Sequence, residues 1–188
     1  MLRGDSYNSR DPELLALAHR ARALISEFSA TPSSQLPERY RILTELLGSV
    51  ADGVWIESPF FCDYGEHIHI GADTFVNANC VFLDSAEIRI GANVLIGPGA
   101  QLLTVSHPVK AADRIVSQDQ RAPAQAPYVL FAKPITIGDN AWIGAGSIVL
   151  PGVTIGANTT IGVGSIVTAD VPADCLAYGQ PCRVQRNL

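Results

Sequence analysis

The chain has 188 residues, 47% of them hydrophobic, and sets 18 acidic side chains against 13 Lys and Arg for a net charge of −5. That balance excludes the basic surface that nucleic acid or an anionic membrane selects, while the apolar content suffices for one compact core and a small accessory element. No apolar run approaches the roughly 18 residues of a spanning helix, and the opening MLRGDSYNSRDPELL lacks the apolar stretch and cleavage site of a secretion signal, so a cytoplasmic protein is expected.

Residues 11 to 28 predict a helix. Asp11 can cap it, Pro12 suits its first turn and Glu13 complements the positive end of its dipole. Leu14, Leu17, Ala21, Leu24 and Phe28 fall on one face. A second helix is expected from near Pro37, with Ile42, Leu43, Leu46 and Leu47 as its apolar stripe and Gly48 as its stop. Together, residues 1–50 are expected to cap the open end of the structure that follows, where a bare β-edge would invite aggregation.

From Ile70 to Pro172 the sequence repeats every six residues. Ile88 and Arg89 shift the frame once, and a longer interruption opens at His107-Pro108. The first position of each hexad is apolar: Ile70, Val76, Phe82, Ile90, Ile96, Leu102, Ile137, Ile143, Val149, Ile155, Ile161 and Val167. The fifth is small or β-branched: Thr74, Cys80, Ala86, Val94, Ala100, Ser106, Ala141, Ser147, Val153, Thr159, Ser165 and Val171. Gly, Asn, Asp and Pro crowd the positions between. A period of six fits neither an amphipathic helix nor a hairpin strand. It fits a short strand and a tight corner repeated around a coil, which predicts a mainly β protein built as a parallel β-helix over residues 51–172. Glycine, Asn and Asp supply the positive φ of the corners.

Residues 103 to 136 break the period, and the Pro-rich polar stretch at about 107–134 is expected to leave the coil as a loop. Loops of that length in compact domains are commonly functional. Residues 173–188 lose the hexad and read as an extended tail carrying Arg183 and Arg186. The four cysteines match no zinc or redox spacing, and Cys80 falls in a small interior slot. His67 and His69 lie on one strand face at a spacing zinc can use, but an exposed pair with no metal is the expectation.

Several segments together carry a resemblance: DPELLALAHRARALISEF, FFCDYGEHIHIG, VNANCVFLD, TVSHP, KPITIGDNAWIGAGSIVLPGVTIG and IGVGSIVTADVPADCLAYGQPCRV. Nearly end to end, the chain resembles the maltose/galactoside O-acetyltransferases of the hexapeptide-repeat superfamily. The resemblance implies a left-handed coil, although parallel crossovers are generally right-handed. It also implies a homotrimer with active sites between subunits, acetyl coenzyme A as cosubstrate, a sugar-like small acceptor and no required metal.

His107 is the expected general base. Acetyl transfer to a hydroxyl needs a proton removed during attack, imidazole does this near neutral pH, and Pro108 holds the backbone extended at the loop mouth. The resemblance gives the corresponding histidine the same role. It also places Asn77, Asp63 and Ser85 at acceptor-binding positions. Ser85 departs from the acidic residue of the galactoside enzymes, and Asp84 can substitute for it. A thin pantetheine arm can lie along a coil edge where Gly144, Ala145 and Gly162 let it approach, with Trp142 as a wall. By resemblance Ala145, Val163 and Thr168 contact the cofactor and Arg183 and Arg186 meet its phosphates, for which guanidinium geometry is apt. Ala169 departs from a frequent lysine, and the loop after His107 is longer than the group's, although Arg114 keeps its usual region. Competing readings are N-acetylation of an aminosugar or antibiotic, a zinc hydratase of the carbonic-anhydrase type, and a non-catalytic scaffold.

Overall fold

The structure is a computed structural model that describes residues 1–2 and 4–188. Helix α1 spans Pro12–Ala30 and helix α2 Leu36–Leu46. Asp11 Oδ1 accepts the Glu13 N–H at 2.9 Å and closes the first turn of α1. Ala21, Leu24 and Phe28 of α1 are buried with Ile42, Leu43 and Leu46 of α2 and the following Leu47. Leu14 and Leu17 are only half-buried. The two helices pack on each other and on the first coil. Arg39 of α2, a residue no apolar pattern predicts, fastens this arrangement. It is buried, stacks 4.0 Å over the Phe28 ring, and donates to the carbonyls of Phe28, Thr31 and Ile56. A guanidinium tolerates burial where its N–H groups find acceptors and its plane an aromatic face.

The hexads wind into a three-faced prism, each face a parallel ladder. One face stacks Ser49–Val50, Ile68–Ile70, Ile88–Ile90, Ile135–Ile137 and Thr154–Ile155. A second stacks Trp55–Ile56, Phe75–Val76, Leu95–Ile96, Trp142–Ile143, Thr160–Ile161 and Cys175–Gly179. The third stacks Phe60–Cys62, Cys80–Leu83, Gln101–Leu103, Ile148–Val149 and Ile166–Val167. Ile88 pairs with Ile68 on one side and Ile135 on the other, so the inserted segment leaves the ladder unbroken. All the first-position residues are buried, and each contributes roughly 1.5–3 kcal/mol. The fifth-position residues are buried beside them, except Ser106.

Ser106 marks where the expected frame fails. Thr104 takes the interior slot instead, its Oγ1 accepting the Ala86 N–H at 2.9 Å. The chain then leaves the prism, and Val105–Ser106 pairs antiparallel with Phe131–Ala132. The resulting arm holds a single helical turn, α3 at Ala111–Arg114, and an antiparallel bridge between Ile115 and Tyr128. The tail is extended as expected but folds on itself. Cys175–Gly179 joins the second face and Cys182–Asn187 returns antiparallel along it.

The outward side chains differ by face. The first presents Ser49, His69, Arg89, Thr136 and Thr154 in register. The second presents Trp55, Phe75, Leu95, Trp142, Thr160 and Leu176. The third presents Phe61, Val81, Gln101, Ile148 and Ile166. One face is therefore polar and two are largely apolar. Among the described residues, no helix is long and apolar enough to cross a membrane. All four cysteines are buried free thiols.

Candidate active site

His107 lies at the root of the arm, immediately after the strand that leaves the prism. Its Nδ1 is 2.9 Å from the Val129 carbonyl oxygen on the returning limb. A carbonyl only accepts, so Nδ1 carries the proton and Nε2 keeps its lone pair. Tyr128 sets its ring edge-on to the imidazole, with centroids 5.5 Å apart. Arg114 of α3 donates to the carbonyls of Pro108 and Val109 at 3.1 and 3.0 Å and holds the segment just after the histidine.

The N-terminal segment folds back against this arm. Tyr7 N–H reaches the Leu130 carbonyl, and Asn8 Oδ1 accepts the Ala126 N–H at 3.0 Å. Between arm, N-terminal segment, α1 and the first corners lies a cleft of about 590 Å³. His107, Asp63, Ser85 and Arg114 line it together with Tyr7, Arg22, Tyr64, Ile115 and Tyr128. Asp63 is pushed up to about 6 by its burial, with the Asp84 carboxyl adding to the rise and Arg22 opposing it. Burial likewise raises the Tyr7 phenol, against a hydrogen bond with Ser85.

Asp84 does not line the cleft. It is 0% exposed, and its Oδ1 accepts the N–H groups of Asp63 and Tyr64 at 3.0 and 2.9 Å. Burial raises its pKa, opposed by the Tyr64 N–H and by His67. His67 is buried rather than exposed, with Nδ1 2.7 Å from the Asp84 carbonyl oxygen. The half-buried His69 instead meets Ser49 Oγ at 3.0 Å. The two imidazoles thus serve separate neighbours, and the expectation of an exposed pair is corrected. Among the described residues no three His, Cys, Asp or Glu side chains gather as a metal would require.

A second candidate surface runs along the corner between the two apolar faces. Asn77 begins it, and Gly97–Gly99, Gly144–Gly146 and Gly162–Gly164 continue it coil by coil. Gly99 N–H bonds Ala78 O, Gly146 N–H bonds Pro98 O and Gly164 N–H bonds Ala145 O, at 2.8–3.0 Å. Gly99, Gly146 and Gly164 adopt φ of +70°, +64° and +69°, and a Cβ at any of them would meet only open space. The corner is therefore a bare backbone track, a shape only glycine leaves at positive φ. Val163 stands beside it 73% exposed, and Trp142, 52% exposed, flanks it on the second face. Asn77 Oδ1 accepts the Ala78 N–H at 2.8 Å, which leaves its NH₂ to donate. Arg183 and Arg186 are exposed on the returning tail strand, opposite Tyr178 and Leu176. Thr168 follows the last strand of the third face and lies at the corner from which the arm departs, away from the glycine track.

Most of the sequence-predicted residues thus fall in two places, with Asp84 behind the cleft, Thr168 at another corner and Arg183 and Arg186 on the tail. His107, Asp63 and Ser85 meet in the cleft. Ala145 and Val163 stand on the track with Asn77, near Trp142, and none of these lines the cleft. Gly144 and Gly162, expected to let the cofactor approach, are instead packed against the next coil, where a Cβ would strike Val163 N at 2.5 Å and Tyr178 Cβ at 2.7 Å. Sequence reasoning misses Tyr7, Arg22, Tyr64 and Tyr128. Tyr64 sits within the CDYG motif, which is a signal that could have found it. Tyr7 reaches the cleft by pairing with the distant Leu130, Tyr128 by pairing with Ile115 across the arm and Arg22 from α1, placements for which the sequence carries no periodic signal.

The N-terminal segment matches the maltose acetyltransferase hexapeptide capping motif over residues 1–51, and residues 134–169 match the bacterial transferase hexapeptide of six repeats. Nodulation protein L of Rhizobium meliloti is 44% identical over 185 residues, covering 98% of this chain and 95% of that protein. The crystal structure of a maltose O-acetyltransferase from Clostridium difficile 630 has a TM-score of 0.90 at 38% identity, covering 100% of this chain and 94% of that one. A galactoside acetyltransferase in complex with coenzyme A gives 0.89 at 36%, covering 99% and 88%. A mirror-image coil would not superpose this closely, so the prism has the hand of those structures, the left-handed sense the resemblance implies.

Proposed function

Because the chain belongs to the maltose/galactoside O-acetyltransferase family of hexapeptide-repeat acyltransferases, we propose that it is an acetyltransferase that moves the acetyl group of acetyl coenzyme A directly onto a hydroxyl of a small, sugar-like acceptor in the cytoplasm. The observation that carries this reading is the 2.9 Å contact between His107 Nδ1 and the Val129 carbonyl oxygen. The Nδ1 proton is committed to that carbonyl, so Nε2 is free to act as a base in the cleft the ring lines. His107 Nε2 takes the hydroxyl proton as the acceptor oxygen attacks the thioester carbonyl carbon. A donor such as the Asn77 NH₂ stabilises the oxyanion. When the tetrahedral intermediate collapses, the carbon–sulfur bond breaks and the imidazolium returns its proton to the departing thiolate. No acyl-enzyme is required.

Asp63 and Ser85, with Tyr7 and Tyr64, offer the polar and aromatic wall an acceptor sugar would use. The glycine track suits a pantetheine arm, whose amides can bond to exposed backbone, with Ala145 and Val163 in contact and Trp142 as a wall. Arg183 and Arg186 are assigned to the cofactor phosphates, and Thr168 to the cofactor on the family's pattern alone. On one chain the His107 cleft and the track occupy different corners of the prism. A closed trimer, in which the arm of one subunit meets the track of the next, joins them, and the two apolar faces are suited to that contact.

The test is His107→Ala, assayed by release of free coenzyme A thiol with maltose as acceptor. Turnover should fall by roughly 10²–10⁴-fold, the usual general-base contribution, with acetyl coenzyme A binding by calorimetry unchanged. Undiminished turnover would remove the mechanism.

A further inference from the structure

One wall of the His107 cleft comes from the turn at residues 62–67, through the side chains of Asp63 and Tyr64. Both backbone N–H groups at these positions end on a single oxygen, Asp84 Oδ1, one coil away. On the turn's other side Gly65, at φ +81°, sits so close to the Leu46 carbonyl oxygen at the end of α2 that a Cβ there would collide with it. The turn is thus gripped between the helical cap and one carboxyl. Asp84 Oδ2 has no hydrogen-bond partner among the described residues, and His67 Nδ1 lies 3.8 Å from it. That nitrogen donates to Asp84's own carbonyl, which fixes Asp84 in turn.

The same corner recurs along the prism with less at stake. Thr104 Oγ1 accepts one N–H, from Ala86, and Asp170 Oδ1 accepts one, from Thr154. A hydroxyl is therefore enough to close such a corner. A fully buried carboxyl that takes two N–H groups, with one oxygen unpartnered, is more than corner closure demands, because stripping a carboxyl of water is costly. What distinguishes this corner is that the residues held are those whose side chains line the cleft.

We propose that Asp84 is a positioning residue of the acceptor site: its carboxyl fixes the backbone of Asp63 and Tyr64 so that their side chains form the acceptor wall, and it does not itself touch the acceptor. This rests on the reading of the His107 cleft as the acceptor site.

The test compares Asp84→Asn with Asp84→Ala in the full-length protein, using maltose and acetyl coenzyme A and measuring both KM values and hydrogen–deuterium exchange. Asparagine keeps an oxygen for both N–H groups and should leave the KM for maltose within about threefold of the parent. Alanine leaves both N–H groups without an acceptor and should raise it by at least roughly tenfold, the scale of a single orphaned backbone donor, with the KM for acetyl coenzyme A unchanged and faster exchange confined to residues 62–67. Should the alanine chain fail to fold, Asp84→Thr copies the hydroxyl of the neighbouring corner and is read the same way, with a smaller rise in maltose KM. The proposal is overturned if asparagine loses as much as alanine, which would mean the charge contacts the acceptor. It is also overturned if both KM values rise together, or if exchange at 62–67 does not change. Failure of the parent enzyme to acetylate any of maltose, galactose or glucosamine would instead sink the reading of the cleft.

Discussion

If catalysis needs the arm of one subunit and the glycine track of another, two inactive variants should rescue each other. His107→Ala removes the base from the arm. Ala145→Trp fills the track, since Ala145 stands between Pro98 and Val163 in the corner column, bonded through Gly146 N–H to Pro98 O and through its own carbonyl to Gly164 N–H. Each variant alone should be nearly inactive. When equal amounts assemble at random into closed rings, a seam works only if its arm comes from the Ala145→Trp chain and its track from the His107→Ala chain. Each condition holds half the time, so about one quarter of all seams recover, and about one third in doubly tagged trimers, since every mixed ring contains one working seam. Co-expression with two affinity tags, isolation of doubly tagged oligomers and a thiol-release assay would measure this. Activity in the mixture no higher than in either parent would refute the seam and confine any chemistry to a single chain.

Three other outcomes follow from the geometry. Asp63 is raised from 3.8 to about 6 on folding, so the folded state holds its proton more tightly and loses stability as pH rises from about 4 to about 6. Asp63→Asn should therefore raise the melting temperature at pH 8 by the equivalent of about 1–3 kcal/mol and do little at pH 4; equal effects at both pH values would contradict the sign. Arg114→Ala frees the Pro108 and Val109 carbonyls and should lower kcat by about tenfold through a looser His107, with unfolding unchanged; unaltered kcat would show that the arm holds the ring without it. Ile143→Ala, at a fully buried first position, should cost about 2–5 kcal/mol in denaturant unfolding, and a smaller loss would mean that the prism collapses onto the gap.

The prism is legible because its signal is repeated: each hexad states the same choice of inward aliphatic, small neighbour and turn, and one irregular member cannot hide the rest. Ser106 is that member, and it fails because Thr104, equally small, takes the interior slot once the chain turns outward. The helical cap is legible from its stripe and capping residues, but Arg39 is not, since a buried guanidinium declares itself only through the carbonyls that fold around it. At the cleft, His107 stands out by its motif. Tyr7 and Asn8 do not, because their place depends on pairing with a segment more than 100 residues away. Asp84 reads from the sequence as a reserve acceptor contact, whereas the structure buries it behind the wall. Ser85 and Asp84 are both buried, and only Ser85 borders the cleft, a distinction their shared motif does not carry.

The direct pairing of Ile88 with Ile135 means that the column does not depend on what lies between them. Both limbs of the arm leave and rejoin at adjacent rungs, so lengthening it changes the closure entropy only slowly, by about 0.6 kcal/mol per doubling. Substrate choice can drift in that segment while the donor track stays constant. Exchanging residues 105–132 between relatives should move acceptor preference from one enzyme to another with the scaffold left intact.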